Sequence, residues 1–408
     1  MPVKLASDLV DKKVAYIFLN ASDQDNSVQR KVAAQIKGLV AEGVEIKGFF
    51  FTFRERAETY DLPHIHSLKV AKAGGKYLLS VRKRNRMTRE LLRWASQNAH
   101  LYDVLYLRNY RPSIRWWWFM LKYGKKCITE HQTKELPEIM ALTSENPFGW
   151  RPGRFLGWLE FAAMPVLAER IWGSLALGAT SKVVAVTGEI AEYERNRAFP
   201  KKPSAHVVSN GIDVMSFPLR TAPVFDGNRL ILFMLVGGST AVDWHGIDLV
   251  MEGIKKYKGS VNIEFWLAGN KDIIKKYEAP FVRLLGFCDK VRTDEIADQV
   301  HLGLGSFASD RKGLKEACSL KMREYAARGI PAVYGQEDND YESICNAGLA
   351  MKCQSMVAPD IEAVVAFYQE LQNRAEFSGQ IRKIAIKEMD NKVKMWALKE
   401  VLLSRPQW

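Results

Sequence analysis

Twice along these 408 residues an unbroken apolar run of strand length ends in a polar or glycine-rich loop and is followed by a helical pattern. The first run is Val14-Ala-Tyr-Ile-Phe-Leu19, followed by the loop Asn20 to Ser27 and a helix from about Val28 to Glu42 that stops at Gly43. The second is Leu230-Ile-Leu-Phe-Met-Leu-Val236, followed by Gly237-Gly238-Ser239-Thr240 and a helix from Gly246 to Lys256. A strand that is apolar on both faces must be covered on both, which places such runs inside parallel sheets flanked by helices. Strands at Val44–Phe53, Asp103–Arg108, Lys126–Thr129 and Lys182–Val186 continue the first series. Strands at Asn262–Ala268, Val282–Leu285 and Pro331–Tyr334 continue the second. The pattern predicts an α/β chain of two doubly wound domains, and the length exceeds what one core usually holds. Boundaries are expected at 1–195 for the first domain, 196–220 for a basic, Pro-containing linker and 221–385 for the second. The helical tail 386–408 is free to cross back to the first domain.

Composition narrows the class. Hydrophobic residues make up 47% and charged residues 26%, as in soluble globular proteins. No secretory signal is read at the start, and the most apolar region, Phe155 to Val186, is broken by Glu160, Glu169, Arg170 and Lys182. The five cysteines are scattered and are expected to be reduced. A formal charge of +13 implies an acidic partner. Basic residues cluster at Arg82–Arg86 and Lys122–Lys126, and between them lies Arg115-Trp-Trp-Trp-Phe119. Trp116–Trp118 beside such runs suits an anionic membrane surface, and equally a packed tryptophan cluster with a solvated rim. Nucleic acid is not expected, because no RNA-recognition signature or zinc knuckle accompanies the charge.

The densest chemistry lies in Glu316-Ala-Cys-Ser-Leu-Lys-Met-Arg-Glu324-Tyr-Ala-Ala-Arg-Gly-Ile-Pro331. Ser319 is a good N-cap and Gly329 a good residue beyond the C-terminus, predicting a helix over Leu320–Arg328. Its first amides, around Ser319, Leu320 and Lys321, would attract phosphate oxygens. Lys321 adds a charge there, and Arg311 and Lys312 stand just upstream. Glu324 lies one turn into the helix, suited to the two hydroxyls of a ribose, and Glu316 precedes it in the loop. An amphipathic charged helix with ordinary caps fits the same residues. Gly237, Gly238 and Ser239 form a loop that lets a phosphate or sugar approach the backbone, or simply a tight strand-to-helix turn. His131 ends a strand of the first series, with Glu130 beside it; either could face a ligand, and a structural histidine fits as well. Asn26 and Ser27 close the first loop at the same sheet edge. Asp338-Asn-Asp340 reads as a turn or sugar-side loop. His64 and His66 lack partners at ligand spacing, so no metal is assigned and no cofactor is expected.

At these residues the chain resembles retaining GT-B glycosyltransferases of family 4, the group 1 transferases of bacterial surface polysaccharide synthesis. Asn210-Gly-Ile-Asp213 with Phe217, Val236-Gly-Gly238, His245-Gly-Ile-Asp248, Leu267-Ala-Gly269, Leu285-Gly-Phe287 and the glutamates Glu316 and Glu324 follow the family's order. The resemblance implies two Rossmann-like domains facing across a cleft. Glu324 would hold the ribose, Glu316 the donor sugar and reaction centre, and the Ser319–Lys321 amides the diphosphate. Gly286 and Phe287 would meet the base, and His131 would be the cleft histidine. The family usually carries an Arg after the glycine loop and a Lys before the next helix. Here those places hold Ser239-Thr240 and Trp244-His245, so Arg311, Lys312, Lys321 and Arg323 are expected to supply the charge. The implied function is retaining transfer of a hexose-type sugar from a nucleotide diphosphate sugar to a hydroxyl of a lipid-linked or growing glycan. The enzyme would be cytoplasmic, peripheral at the inner face of the cytoplasmic membrane. A sugar-nucleotide 2-epimerase and a non-catalytic binding module on the same fold are the rivals.

Overall fold

The computed structural model describes residues 11–20, 27–52, 63–70, 79–108, 112–144, 163–236 and 243–405. The chain divides into two compact units, residues 1–209 together with those from Met395 on, and residues 210–394.

The first unit is built on a seven-stranded parallel sheet in the order β3-β2-β1-β4-β5-β6-β7. Its strands are β1 (Val14–Asn20), β2 (Ile46–Thr52), β3 (Ile65–Lys69), β4 (Val104–Arg108), β5 (Cys127–His131), β6 (Lys182–Ala185) and β7 (Ser204–Val207). β1 is central, with Val14 in register with Ile46 on one side and Val104 on the other. Its side chains alternate between two cores, as a strand period of two requires. Val14, Tyr16 and Phe18 pack with Val32, Ile36 and Leu39 of helix Ser27–Ala41. Ala15, Ile17 and Leu19 pack with Met87 and Leu91 of helix Leu79–Asn98 and with Trp116, Phe119 and Met120 of helix Ile114–Tyr123.

One segment departs from the sequence expectation, and the tail crosses back as expected. Residues 204–207, expected within a linker, form the edge strand β7, pairing Ser204 with Lys182 through Val207 with Ala185. A short, half-buried edge strand carries too little apolar signal to be read in advance. The last helix, Asn391–Leu403, places Met395, Leu398 and Leu402 fully buried in the core of the first unit. Lys182 fixes its end, its Nζ donating to the carbonyls of Val401 (2.6 Å) and Ser404 (2.8 Å).

The second unit repeats the winding on six parallel strands in the order β10-β9-β8-β11-β12-β13. They are β8 (Arg229–Leu235), β9 (Asn262–Ala268), β10 (Val282–Gly286), β11 (Leu302–Leu304), β12 (Ala332–Tyr334) and β13 (Met351–Lys352). In each sheet the winding reverses beside the first strand, between β1 and β4 and between β8 and β11. The carboxyl ends of strands at such a reversal leave a crevice in which doubly wound proteins bind ligands.

Candidate functional site at the second switch point

Helix Leu320–Arg328 starts beyond the carboxyl end of β11 and ends at Gly329, whose φ of +74° closes it in the left-handed region. Ser319 has the extended backbone of an N-cap, but its side chain does not cap: Oγ is buried and makes no hydrogen bond. The residue before it is held by Asn210, whose Nδ2 donates to the Cys318 carbonyl and whose backbone N–H meets Cys318 Sγ at 3.0 Å. The first-turn amides of the helix therefore lack a side-chain cap, as an incoming anion would require.

Lys321 turns from the first helical turn toward the sheet. Its Nζ donates to the Gly305 carbonyl at 3.1 Å and stands 3.2 Å from His245 Nδ1. His245 Nδ1 is also 3.1 Å from Ser306 Oγ. Ser306 in turn donates its backbone N–H to Gln336 Oε1 at 3.0 Å, while Gln336 Nε2 is buried without a partner. Gly246 brings His245 in: its φ is +69°, and a Cβ there would lie 2.8 Å from Phe307 Cβ. The contact is closed by the Phe307 N–H donating to the His245 carbonyl. Residues just beyond β11 and β12, the turn before helix Ile247–Lys256 and the new helix thus converge at one place.

The electrostatics there are unusual. Lys321 is buried, and no carboxylate among the described residues reaches it. Burial, with Lys312 adding repulsion, pulls its pKa down to about 7. Burial, then Lys321 and Lys312, hold His245 well below the ordinary imidazole range, so it is neutral. The neutral imidazole accepts at Nδ1 and carries its proton on Nε2.

Of the other three cations expected at this site, Arg311 and Arg323 are held in ion pairs. Arg311 makes a two-pronged pair with Asp248 (2.8 and 2.7 Å) and donates to the Asp243 carbonyl. Lys312 lies over the Trp244 ring, 5.0 Å from its centroid. Arg323 is fully buried, gripped by Asp338 and Asp340. The Asp338-Asn-Asp340 segment, read as a turn or sugar-side loop, is therefore an ion-pair anchor that also holds Lys394 at 2.8 Å. Glu324 stands on the same helix with its carboxylate 3.2 Å from Arg328 Nη1, and Arg328 also pairs with Asp294. Glu316 lies in an extended stretch bridged to Glu337. Phe287, following the positive-φ Gly286 at the end of β10, is 68% exposed. Gly237, Gly238, Ser239 and Asn26 lie outside the described residues; Ser27 opens helix Ser27–Ala41. Ser306, Gln336 and the Asn210–Cys318 contact escaped the sequence reading; for Gln336 the only signal was its place just past a strand.

The first unit holds His131 differently from the expectation of a ligand-facing residue. Its ring is fully buried, with Nε2 3.0 Å from Thr129 Oγ1 and Nδ1 3.5 Å from Glu135 and 3.7 Å from Glu194. Burial lowers its pKa, but the two carboxylates outweigh burial and the net shift is upward. Glu130 is the centre of a second buried network around β1, β4 and β5. It accepts from Tyr16 Oη (2.6 Å), Arg108 (2.8 Å), Lys31 (3.1 Å) and Gln132 (2.7 Å). Burial pushes its carboxyl up, and Arg108 and Lys31 together bring it down to about 2. Among the described residues no group of three His, Cys, Asp or Glu side chains is placed to hold a metal ion.

No family model and no curated protein sequence matches the chain. Solved structures do. HepE from Anabaena, determined in complex with UDP-glucose, superposes with a TM-score of 0.59 at 12% identity, over 96% of this chain and 99% of that one. A glycosyltransferase from Rickettsia africae gives 0.61 at 12%, over 97% and 99%. WaaG, described as a glycosyltransferase involved in lipopolysaccharide biosynthesis, gives 0.60 at 12%, over 95% and 99%. The chain has the GT-B fold. In this GT-B chain the converging residues of the second unit lie at the switch point of the second Rossmann-like sheet.

Proposed function

We propose that the protein is a glycosyltransferase that takes a sugar from a nucleotide diphosphate sugar and that the second domain holds the donor. The observation that carries this reading is the buried Lys321 ammonium with no carboxylate partner, beside an uncapped helix start and the unused donors Ser319 Oγ and Gln336 Nε2. A buried cation without a counter-ion is costly. A diphosphate supplies that counter-ion and accepts all the free donors at once. The HepE complexes with UDP and UDP-glucose support the choice of nucleotide sugar.

In the proposed reaction the acceptor hydroxyl attacks the anomeric carbon on the face from which the diphosphate departs, giving retention. The new C–O bond forms as the sugar–phosphate bond breaks, and the hydroxyl proton passes to the departing phosphate oxygen. Lys321 and the helix amides stabilise the charge that develops on that oxygen, which is electrostatic preorganisation. Glu324 takes the ribose, in exchange with its Arg328 contact, Phe287 lies against the base and Glu316 orients the sugar. Arg311 and Arg323, committed to Asp248 and Asp338, are assigned structural roles. The reading assigns no metal. The acceptor we propose is a lipid-linked or growing glycan, and the donor sugar a hexose.

The test is a panel of nucleotide sugars titrated calorimetrically into the protein, followed by nucleotide release with membrane extracts as acceptor. Binding of one donor, with acceptor-dependent release, is expected. Binding of none would overturn the donor-site reading. Conversion of the donor without acceptor would make the protein an epimerase, and binding without turnover a non-catalytic module.

A further inference from the structure

Lys321 is aimed as well as buried. A lysine ammonium carries three N–H donors. One goes to the Gly305 carbonyl at 3.1 Å and a second to His245 Nδ1 at 3.2 Å. The third meets no protein acceptor among the described residues. On a tetrahedral nitrogen, two fixed acceptors decide where the third N–H points. One of them is backbone just beyond β11, so His245 is the side chain that sets the direction. Its own place is pinned on both sides: the Phe307 N–H donates to the His245 carbonyl at 3.0 Å and the Ala308 N–H to the Trp244 carbonyl at 3.3 Å. Ser306 Oγ, 3.1 Å from Nδ1, holds the same edge of the ring.

What kind of acceptor stands there matters more than its distance. A carboxylate at that place would hold the ammonium equally well but would also neutralise it, as Glu130 does for Lys31 and Arg108 in the first unit. A second cation would repel it. A neutral imidazole with its proton on Nε2 directs the ammonium and leaves its charge unmatched. The surroundings keep the ring in that state, since burial, then Lys321 and Lys312, oppose a second proton on it. Direction is thus supplied without neutralisation.

We propose that His245 is a positioning residue for the donor, aiming the Lys321 ammonium at the diphosphate while supplying no counter-ion of its own. This role rests on the donor-site reading, and the two fail separately: the parent chain tests the reading, and substitutions at His245 test the role. Asparagine and aspartate both carry Oδ1 where histidine carries Nδ1; they share a shape and differ in charge. UDP, GDP and ADP are titrated calorimetrically into the parent, His245→Asn, His245→Asp and His245→Ala. For the nucleotide that the parent binds, His245→Asn should stay within about threefold of the parent affinity, whereas His245→Asp and His245→Ala should each bind about tenfold or more weakly. Equal affinity in His245→Asn and His245→Asp overturns the proposal. So does full affinity in His245→Ala, or a loss in His245→Asn as large as that in His245→Ala, which would give the function to the ring's other nitrogen. No nucleotide bound by the parent overturns the donor-site reading, and this role with it. The ring is also read directly in the ligand-free parent, so that a variant that fails to fold leaves the proposal open to refutation. Nitrogen-15 resonances should show a neutral imidazole protonated on Nε2, with the Nδ1 signal displaced in Lys321→Met. A proton on Nδ1, or an Nδ1 signal indifferent to Lys321, overturns the proposal.

Discussion

The two switch points of this GT-B chain solve the same electrostatic problem in opposite ways. At the first, Lys31 and Arg108 are buried around an internal carboxylate, Glu130, with Tyr16 and Gln132 completing its hydrogen bonds. At the second, Lys321 is buried with only the Gly305 carbonyl and the neutral His245 imidazole for company. A buried cation that carries its own counter-ion is part of the scaffold. One that lacks a counter-ion is held ready for an anion that arrives from outside.

The comparison is most exposed to failure at Glu130. Glu130→Gln leaves two buried cations without their anion and should cost about 3–5 kcal/mol of stability, read as a lower midpoint in urea unfolding. A midpoint within experimental error of the parent would mean that the first network is not structural. Lys321→Met should do the reverse. The ligand-free protein is expected to be as stable as the parent or up to about 2 kcal/mol more stable. Donor affinity should fall at least tenfold, as for loss of a charged hydrogen bond worth about 1.5–3 kcal/mol. Loss of stability with affinity intact would reverse the roles assigned to the two sites.

Titration offers an intermediate effect. Lys321 has a folded-state pKa of about 7 against the ordinary 10.5, so over that window the unfolded chain holds more protons than the folded one. The stability of the ligand-free protein should therefore rise as pH increases from about 7 to about 10, and this contribution should vanish in Lys321→Met. Donor binding needs the ammonium and should take up a proton near pH 8. Calorimetry in buffers of different ionisation enthalpy detects that uptake, and a binding enthalpy independent of buffer would contradict it. The smallest effect is expected at Arg311, whose charge is already matched by Asp248 at a partly exposed site. Arg311→Ala should change donor affinity less than about threefold and stability by at most about 1 kcal/mol.

Much of the frame was readable in advance. Val14–Leu19 and Leu230–Val236 announced themselves because both faces of each strand are buried, leaving no polar residue to interrupt the run. Ser319 and Gly329 marked the ends of the helix at Leu320 and Arg328, because helix termini obey local rules. The fate of charges was not readable. Arg311 finds Asp248 at a separation of 63 residues and Arg323 finds Asp338 at 15, pairings that depend on the tertiary fold. Two of the four cations expected to clamp a diphosphate are consumed in this way. Lys321 was legible as a first-turn charge, and only the structure shows that it stands without an acid among the described residues. Trp116–Trp118 illustrates a signal that was available: the spacing of Trp116, Phe119 and Met120 already gives the helical phase that buries one tryptophan and exposes another.

The helix Asn391–Leu403 has a temporal meaning. Met395, Leu398 and Leu402 fill the core beneath β1, each contributing about 1.5–3 kcal/mol, and Lys182 grips the carbonyls at the helix end. A ribosome delivers β1 before the whole second domain and this helix after it. The second domain, residues 210–394, has all its parts while the first still lacks a wall. Of the two domains, the one that begins synthesis earlier is therefore completed later, and the nascent chain must keep its apolar sheet face from aggregating until this helix emerges.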